Sequence, residues 1–258
     1  MTRKSRSIRS RMARSTATHI SVKGLSLTED ILGHLNLGDM AFLELMGRRP
    51  SAKESVIFNA VLVTLVEHGL TPMAIVSRLT YLGAPESLQS AVAAGLCGMG
   101  TTFAGTAEGA ARMLHEGVSE AVDADLREVA CRIVAAFKAR KAAVPGIGHH
   151  LHKPVDPRAS RLFAIAEEQG YRGRYVALME EVSLEAERVY GKPLPVNATG
   201  AIGALCCEMR IPWQIARGIS VMGRAVGLVG HLVEEQVEPI AAEIWLRAEE
   251  EASAEPMP

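Results

Sequence analysis

One short stretch of the chain, residues 145–158 (PGIGHHLHKPVDPR), is dense in side chains that can do chemistry. Its candidate residues are three histidines within four positions, a lysine, an aspartate and an arginine: His149, His150, His152, Lys153, Asp156 and Arg158. Two glycines and a proline at its start indicate a tight loop. A polar surface loop is the alternative, but this concentration of histidines favours a functional site.

A zinc site is one interpretation of the histidines. His149 and His152 are the nearest to a ligand pair, but no third ligand lies at a matching spacing in the sequence. Because protein zinc sites use at least three protein ligands, we expect no metal here.

Two residues outside this stretch are further candidates. Arg224 lies inside a very apolar predicted helix, where a guanidinium needs an anionic partner. His68 lies near the end of a predicted helix, which suits an imidazole in any protein because the helix dipole favours a cation there. From the residues alone, Arg224 favours a binding role and His68 a structural one.

Apolar residues at helical spacing predict the elements that position these side chains. Ser51-Ala-Lys-Glu54 has the spacing of a capping box and begins a helix that ends near His68. Thr71-Pro72 starts the next helix, which stops at Gly83. Further helices are predicted at 88–99, 107–116, 121–140, 157–169, 174–190, 200–209, 212–230 and 232–250. No segment alternates with the period of a strand, so the predicted fold class is all-α.

Composition and charge narrow the class of protein. Hydrophobic residues make up 48% of the 258 residues, as in an ordinary globular protein. The formal net charge is −1, so no nucleic-acid or membrane partner is expected. No run of 18 uncharged apolar residues predicts a membrane span. The basic start lacks the apolar core of a secretory signal. We interpret it as a solvated terminus, in preference to an anion-binding arm or a transit peptide. Its basic residues are Arg3, Lys4, Arg6, Arg9, Arg11 and Arg14.

The four cysteines have neither metal nor disulfide spacing. They are Cys97, Cys131, Cys206 and Cys207, all in apolar stretches. We expect buried thiols in a reducing compartment, and a cytoplasmic protein.

The loop also carries a family resemblance. Pro-Gly-x-Gly-His149, followed by the arginine of Asp-Pro-Arg158, is similar to the signature of the citrate synthase and citryl-CoA lyase superfamily. Residues 19–50 look like the family's opening, Val66-Glu-His68-Gly-Leu-Thr like its large-domain histidine segment, and Gly223-Arg224-Ala-Val-Gly like its second arginine segment. The closing run Gly-Leu-Val-Gly-His231 and the chain length look most like the shorter, citryl-CoA lyase branch.

The resemblance implies a role for each of these residues. His149 would contact the carbonyl and hydroxyl of an oxaloacetate-like or citrate-like group, and Arg158 would clamp a carboxylate. His68 and Arg224 would complete the carboxylate site, with His149, His68 and Arg158 as the catalytic set. Coenzyme A would be the cofactor, as acyl-CoA substrate or product. The residues implied in its binding are Val144, Gly146, Ile147, Gly148 and Lys153.

Two positions depart from the family pattern. Phe103, in Gly100-Thr-Thr-Phe103-Ala-Gly105-Thr-Ala-Glu108, stands where the family has the histidine that stabilises the enol. Thr199, in Asn197-Ala198-Thr199, stands where it has the aspartate base. Removal of a proton from a thioester methyl needs a carboxylate base and a donor for the enolate oxygen. Ordinary citrate synthesis and citryl-CoA cleavage are therefore expected to be crippled.

This combination predicts a CoA-dependent carbon–carbon lyase or synthase acting on a citryl-CoA-like or related hydroxyacyl-CoA. His150, His152 or Glu108 would replace the missing acid or base, and Phe103 would form an apolar floor for a bulkier acyl chain. Two alternatives stay open: another CoA-thioester reaction, such as hydrolysis or decarboxylation, and a non-catalytic subunit that binds CoA or a carboxylate.

The resemblance also implies an architecture. Residues 1–110 and 216–258 would form a large helical domain and residues 111–215 a smaller one, with the active site in the cleft between them. The apolar segments 88–99 and 200–209 are expected to form the surface of a homodimer or higher even oligomer.

Overall fold

The computed structural model describes residues 10–119, 125–149 and 151–254. The candidate residue His150 and the basic residues Arg3, Lys4, Arg6 and Arg9 lie outside these ranges. Helices make up most of the described chain, which confirms the predicted all-α class. The chain divides into two compact units, the first ending at Asn59 and the second beginning at Ala60.

The first unit contains a small sheet that the sequence did not predict. Strands β1 (Ala13–Ser15), β2 (Ile20–Val22) and β3 (Leu25–Ser26) pair antiparallel in that order. The expectation of no strand was wrong here, because strands of two or three residues are too short to show alternation. Helix α1 (Leu37–Met46) follows, with Asn36 as its N-cap.

Helix α2 (Ala52–Val66) begins with the predicted capping box. The backbone N–H of Glu54 donates to Ser51 Oγ over 3.2 Å, and the backbone N–H of Ser51 donates to Glu54 Oε2 over 2.8 Å. This reciprocal pair satisfies two N–H groups that a helix start leaves without partners.

The second unit contains the end of α2, a short 3₁₀ helix (Trp213–Ile215) and nine further α-helices within the described ranges. They are α3 (Pro72–Gly83), α4 (Leu88–Cys97), α5 (Gly105–Ser119), α6 (Leu126–Ala139), α7 (Pro157–Gln169), α8 (Arg174–Tyr190), α9 (Ala198–Glu208), α10 (Ala216–Val237) and α11 (Ala241–Ser253). The predicted break between 230 and 232 does not occur, and α10 continues to Val237. A single glycine costs a helix only about 1 kcal/mol, which packing offsets, whereas Pro239 stops the helix.

Helix α9 forms the centre of the second unit and packs against α5, α7 and α8. At Gly203 a Cβ would lie 2.8 Å from both the Ala110 Cβ and the Ala111 nitrogen, so only glycine permits this approach. The expectation that 200–209 forms an oligomer surface was wrong, because its apolar side chains are buried within the chain.

The cysteine prediction holds for one pair only. Cys206 and Cys207 are buried in α9, but Cys97 and Cys131 are exposed on the surfaces of α4 and α6. No helix in the described part of the chain is long and apolar enough to cross a membrane. The predicted domain division and the cytoplasmic location stay predictions.

Candidate active site

The second unit contains a cavity of about 520 Å³, called here the histidine–arginine cavity. Its wall includes all four predicted substrate-binding residues and both altered positions: His68, His149, Arg158, Arg224, Phe103 and Thr199. These residues come from the end of α2, the segments before α5 and α7, and helices α7, α9 and α10. The fold therefore brings together residues that are far apart in the sequence.

Arg158 is held in place by Asp156, the N-cap of α7. Its Nε donates to Asp156 Oδ1 over 3.0 Å and its Nη2 to Oδ2 over 2.8 Å. Asp156 is fully buried and also accepts the backbone N–H of Ala198 over 3.0 Å, which ties α7 to the start of α9. Burial raises the pKa of Asp156, but Arg158 and the backbone N–H groups outweigh it, so this pKa is lowered.

Arg224 is a buried cation on α10. Its Nη1 is buried and has no hydrogen-bond partner among the described residues. Burial lowers the pKa of Arg224, and the negative charge of Glu67 opposes that shift. Because buried polar groups are almost always hydrogen-bonded, a buried guanidinium nitrogen without a partner, in a residue that lines a cavity, makes Arg224 a candidate for binding an anion.

The ring of His149 has a defined tautomer. Its Nδ1 accepts hydrogen bonds from the backbone N–H groups of Leu151 and His152, each over 3.1 Å. A neutral ring that accepts at Nδ1 carries its proton on Nε2. His149 can therefore donate a hydrogen bond from Nε2, and a carbonyl or carboxylate oxygen could accept it.

Three histidines lie close together, and two of them, His68 and His149, line this cavity. His68, His149 and His152 place one ring nitrogen each within 4.8 Å of one another. The argument that no third ligand exists was wrong, because His68, distant in sequence, supplies it. Sequence spacing gave no signal for this proximity, although the family resemblance implied that His68 and His149 share one carboxylate site.

The geometry nevertheless fits a metal poorly. A metal-bound imidazole donates its other N–H, whereas His149 Nδ1 accepts from two N–H groups. The His149 and His152 rings stack, with centroids 4.4 Å apart and planes 24° apart, so their in-plane lone pairs do not converge on one ion. The cluster is better suited to hydrogen bonding with an anionic ligand.

Positions 103 and 199, which are predicted to depart from the family pattern, offer no acid or base. Phe103 has an apolar side chain, and Thr199 donates its hydroxyl to Asn197 Oδ1 over 2.7 Å as part of the cap of α9. Glu108, a predicted replacement, pairs with Arg217 over 2.7 Å and does not line the cavity. No carboxylate lines this cavity in the described part of the chain.

A second cavity of about 710 Å³, called here the glycine-loop cavity, includes the predicted coenzyme A loop. The loop residues on its wall are Val144, Gly146, Ile147 and Gly148, and three arginines from α5 and α6 or its end join them: Arg112, Arg132 and Arg140. Both cavities include Thr106 and Asn197, so they adjoin. The sequence did not single out the arginines, because cations on amphipathic helices look like an ordinary solvated face.

The loop is fixed by the segment before α9. The N–H of Gly148 donates to the carbonyl of Pro195 over 2.7 Å, and the N–H of Asn197 donates to the carbonyl of Gly146 over 3.0 Å. Gly146 has φ +86°, and a Cβ there would lie 2.6 Å from the Gly200 Cα. Lys153, predicted for coenzyme A phosphates, is exposed and lines neither cavity.

Comparison with known sequences places this geometry in context. Residues 8–245 match the sequence model of the citrate synthase C-terminal domain. A probable ATP-citrate synthase of Dictyostelium discoideum is 25% identical over 253 residues, which cover 91% of this chain and 39% of the relative. A citrate synthase of Acidithiobacillus ferridurans is 29% identical over 202 residues, covering 74% and 49%. The chain thus spans less than half the length of these curated relatives.

Solved structures show the same architecture. Citryl-CoA lyase from Hydrogenobacter thermophilus superposes with a TM-score of 0.82 at 33% identity, covering 90% of this chain and 88% of that one. ATP citrate lyase from Methanothrix soehngenii, solved with citrate and coenzyme A, gives a TM-score of 0.75 at 20% identity, covering 91% and 40%. At 20% identity, the similarity to ATP citrate lyase shows a shared fold alone.

Proposed function

The chain belongs to the citrate synthase family, and from this premise we propose that it is a CoA-dependent carbon–carbon lyase or synthase. The observation that carries the proposal is Arg224: its buried Nη1 has no partner in the described chain, and the residue lines the same cavity as Arg158. Two guanidinium groups on one wall suit a ligand with more than one carboxylate, because a planar guanidinium binds carboxylate in bidentate fashion.

The proposed substrate is a citryl-CoA-like hydroxyacyl-CoA. Arg158 and Arg224 bind its carboxylates, and His149 donates from Nε2 to the oxygen that is a hydroxyl in the hydroxyacyl-CoA and a carbonyl in the keto acid. The relative from Methanothrix soehngenii, solved with citrate and coenzyme A, supports this substrate class.

Coenzyme A occupies the glycine-loop cavity in this proposal. The backbone around Gly146 and Ile147 borders the adenine, and the three arginines of the cavity bind the phosphates as charge-assisted donors. These arginines take the role that the family resemblance suggested for Lys153.

The acid–base chemistry falls to His68, which joins His149 as the second imidazole on the wall. In the cleavage direction His68 accepts the hydroxyl proton, and the carbon–carbon bond breaks as the carbonyl forms. The electron pair of that bond moves onto the thioester as an enolate, which takes a proton from water, and the hydroxide that is left takes the proton from His68. Phe103 gives the enolate no donor, so acetyl-CoA release is slow. Bulkier acyl chains are favoured by the apolar residues that line the cavity: Leu70, Met73, Phe103, Leu151 and Ile202.

A second candidate function is CoA-thioester chemistry without carbon-acid deprotonation, or binding without turnover. The specific observation in its favour is that no described carboxylate lines the histidine–arginine cavity and that the Thr199 hydroxyl belongs to a helix cap. Hydrolysis or decarboxylation needs no enolate donor at position 103.

We also propose the predicted two-domain division, with residues 111–215 as the smaller domain. The cavity draws residues from both parts, Phe103 and Arg224 from the larger and His149 and Arg158 from the smaller. Closure of such a cleft would exclude water from the substrate.

A homodimer is proposed through the exposed side of α10. Val226, Val229, Val233 and Val237 are exposed and follow one another at spacings of three and four residues, which places them on one face. Light scattering tests this, with Val233→Asp expected to shift a dimer toward monomer and a monomeric wild type contradicting the proposal.

The deciding experiment for the activity is a coupled assay of the purified chain with citryl-CoA, and with acetyl-CoA plus oxaloacetate, beside a calorimetric titration of coenzyme A. Turnover with either substrate supports the lyase or synthase. Coenzyme A binding without turnover favours the second candidate, and absence of binding rejects both.

A further inference from the structure

Behind the histidine–arginine cavity lies a chain of three polar side chains, called here the Arg78–His231–Glu67 relay. Arg78 is fully buried and pairs through Nη1 with Glu235 over 2.6 Å, and also pairs with Glu234. Glu235 in turn accepts the backbone N–H groups at the start of α11, so this end of the relay is fixed by packing.

His231 is the middle member and is nearly buried. Both Nε and Nη2 of Arg78 point at its Nδ1, over 3.2 and 2.9 Å. A guanidinium can only donate, so Nδ1 of His231 accepts and the ring proton lies on Nε2. That Nε2 lies 3.1 Å from Oε2 of Glu67 and donates to the carboxylate.

Glu67 connects the relay to the cavity wall. Its Oε1 accepts the backbone N–H of His68 over 2.8 Å and that of Gly69 over 2.5 Å. Burial raises the pKa of Glu67, but the hydrogen bonds from these N–H groups, together with the charge of Arg224, outweigh it, so this pKa is lowered and the group is ionised at neutral pH. One carboxylate therefore holds the turn that carries His68 and provides the negative charge that offsets the burial of Arg224.

We propose that the relay is a positioning device for the carboxylate site: His231, in its Nε2–H tautomer, orients Glu67, which sets the position of His68 and the charge balance of Arg224. The inference rests on the proposed function only in naming the ligand. His231 and Arg78 do not line the cavity, so they act through Glu67.

The test uses the full chain with His231→Gln and His231→Leu. Glutamine can accept from Arg78 and donate to Glu67, whereas leucine of similar size can do neither. His115→Leu, an exposed helical histidine elsewhere in the second unit, is the control. Glu67→Gln, at the half-exposed end of the relay, is a second variant that tests the relay if His231→Leu does not fold. Its amide N–H₂ would face the Nε2–H of His231, and two donors cannot form a hydrogen bond with each other.

Two measurements are made. The first records ring ¹H–¹⁵N NMR spectra without ligand. We expect His231 to be protonated at Nε2 only, and the His68 ring signals to move in His231→Leu but not in His231→Gln or His115→Leu. The second measurement is a calorimetric titration with citrate. We expect the citrate affinity to fall about tenfold in His231→Leu, within the range known for residues that act through a neighbour. In His231→Gln the citrate affinity should be retained.

The outcomes separate the two proposals. Absence of citrate binding by the wild type rejects the proposed ligand, while the NMR measurement still judges the relay. Unchanged His68 signals in both His231→Leu and Glu67→Gln, or a His231 protonated at Nδ1, overturn the relay. A loss of thermal stability with unchanged citrate affinity also overturns it, since that is the signature of a purely structural role.

Discussion

The hydroxyl of Thr199 donates to Oδ1 of Asn197 over 2.7 Å, and the same oxygen accepts the backbone N–H of Thr199 over 3.0 Å. Thr199, which the family resemblance places at the base position, is therefore part of the N-cap of α9. Its hydroxyl proton is committed to this cap, so in the proposed mechanism the acid–base work falls to the imidazoles.

The double variant Phe103→His, Thr199→Asp should gain citryl-CoA cleavage. Position 199 lies in the first turn of α9, where the helix dipole favours a carboxylate, so the fold should tolerate the change. Because general acid–base catalysis contributes about 10²–10⁴-fold, we expect the rate to rise by roughly 10²-fold or more in the coupled assay. Phe103→His with Thr199→Asn, which lacks a base, is the control, and an unchanged rate in the double variant would contradict the assignment.

Arg224→Met should remove carboxylate binding without unfolding the protein. Losing two charged hydrogen bonds, at roughly 1.5–3 kcal/mol each, predicts a citrate affinity about 10²–10⁴-fold lower by calorimetry. Methionine removes the cost of burying the cation, and Glu67 keeps its hydrogen bonds to the N–H groups of His68 and Gly69, so the free energy of unfolding should change by no more than about 1 kcal/mol. The exposed Arg127→Met is the matched control, and equal citrate affinity in both variants would exclude the role of Arg224.

Gly146→Ala should damage the coenzyme A loop. Alanine at φ +86° costs roughly 1–2 kcal/mol, and overpacking against Gly200 adds about 1–3 kcal/mol. We expect lower stability in urea and weaker coenzyme A binding. Gly218→Ala, where a Cβ would meet nothing within 4 Å, should leave coenzyme A binding unchanged and should raise the stability by no more than about 1 kcal/mol, because the residue lies in helix α10. Wild-type stability and affinity in Gly146→Ala would show that the loop relaxes freely.

Asp156→Asn should destabilise the protein in a pH-dependent way. Breaking its buried pair with Arg158 should cost about 2–4 kcal/mol at neutral pH. The folded pKa of Asp156 is lowered below its ordinary value near 4. The stabilisation is therefore complete above that value and is lost as the pH falls through the folded pKa. Urea unfolding at pH 7 and about pH 3 should show the difference from wild type shrinking in acid. The exposed Glu86→Gln is the control, and a difference that grows in acid would refute the argument.

Much of the fold was predictable because its determinants are local. The capping box of Ser51 and Glu54 and the Thr71-Pro72 helix start depend on neighbours within four residues, and the structure contains both. The break predicted near Gly230 failed, because whether a glycine interrupts a helix depends on packing from distant segments that the sequence does not display.

The sequence by itself determined the helical class, the glycine loop and the identity of the residues on the cavity wall, since these follow from periodicity and from a family motif. Only the tertiary structure decided which groups meet. It placed His68 beside His149 and paired Glu108 with Arg217. It also buried Arg224 with one nitrogen unpartnered in the described chain, and it set His231 between Arg78 and Glu67. The physical reason is that hydrogen bonds, desolvation and tautomers depend on distances of a few ångströms between side chains that are tens to more than a hundred residues apart.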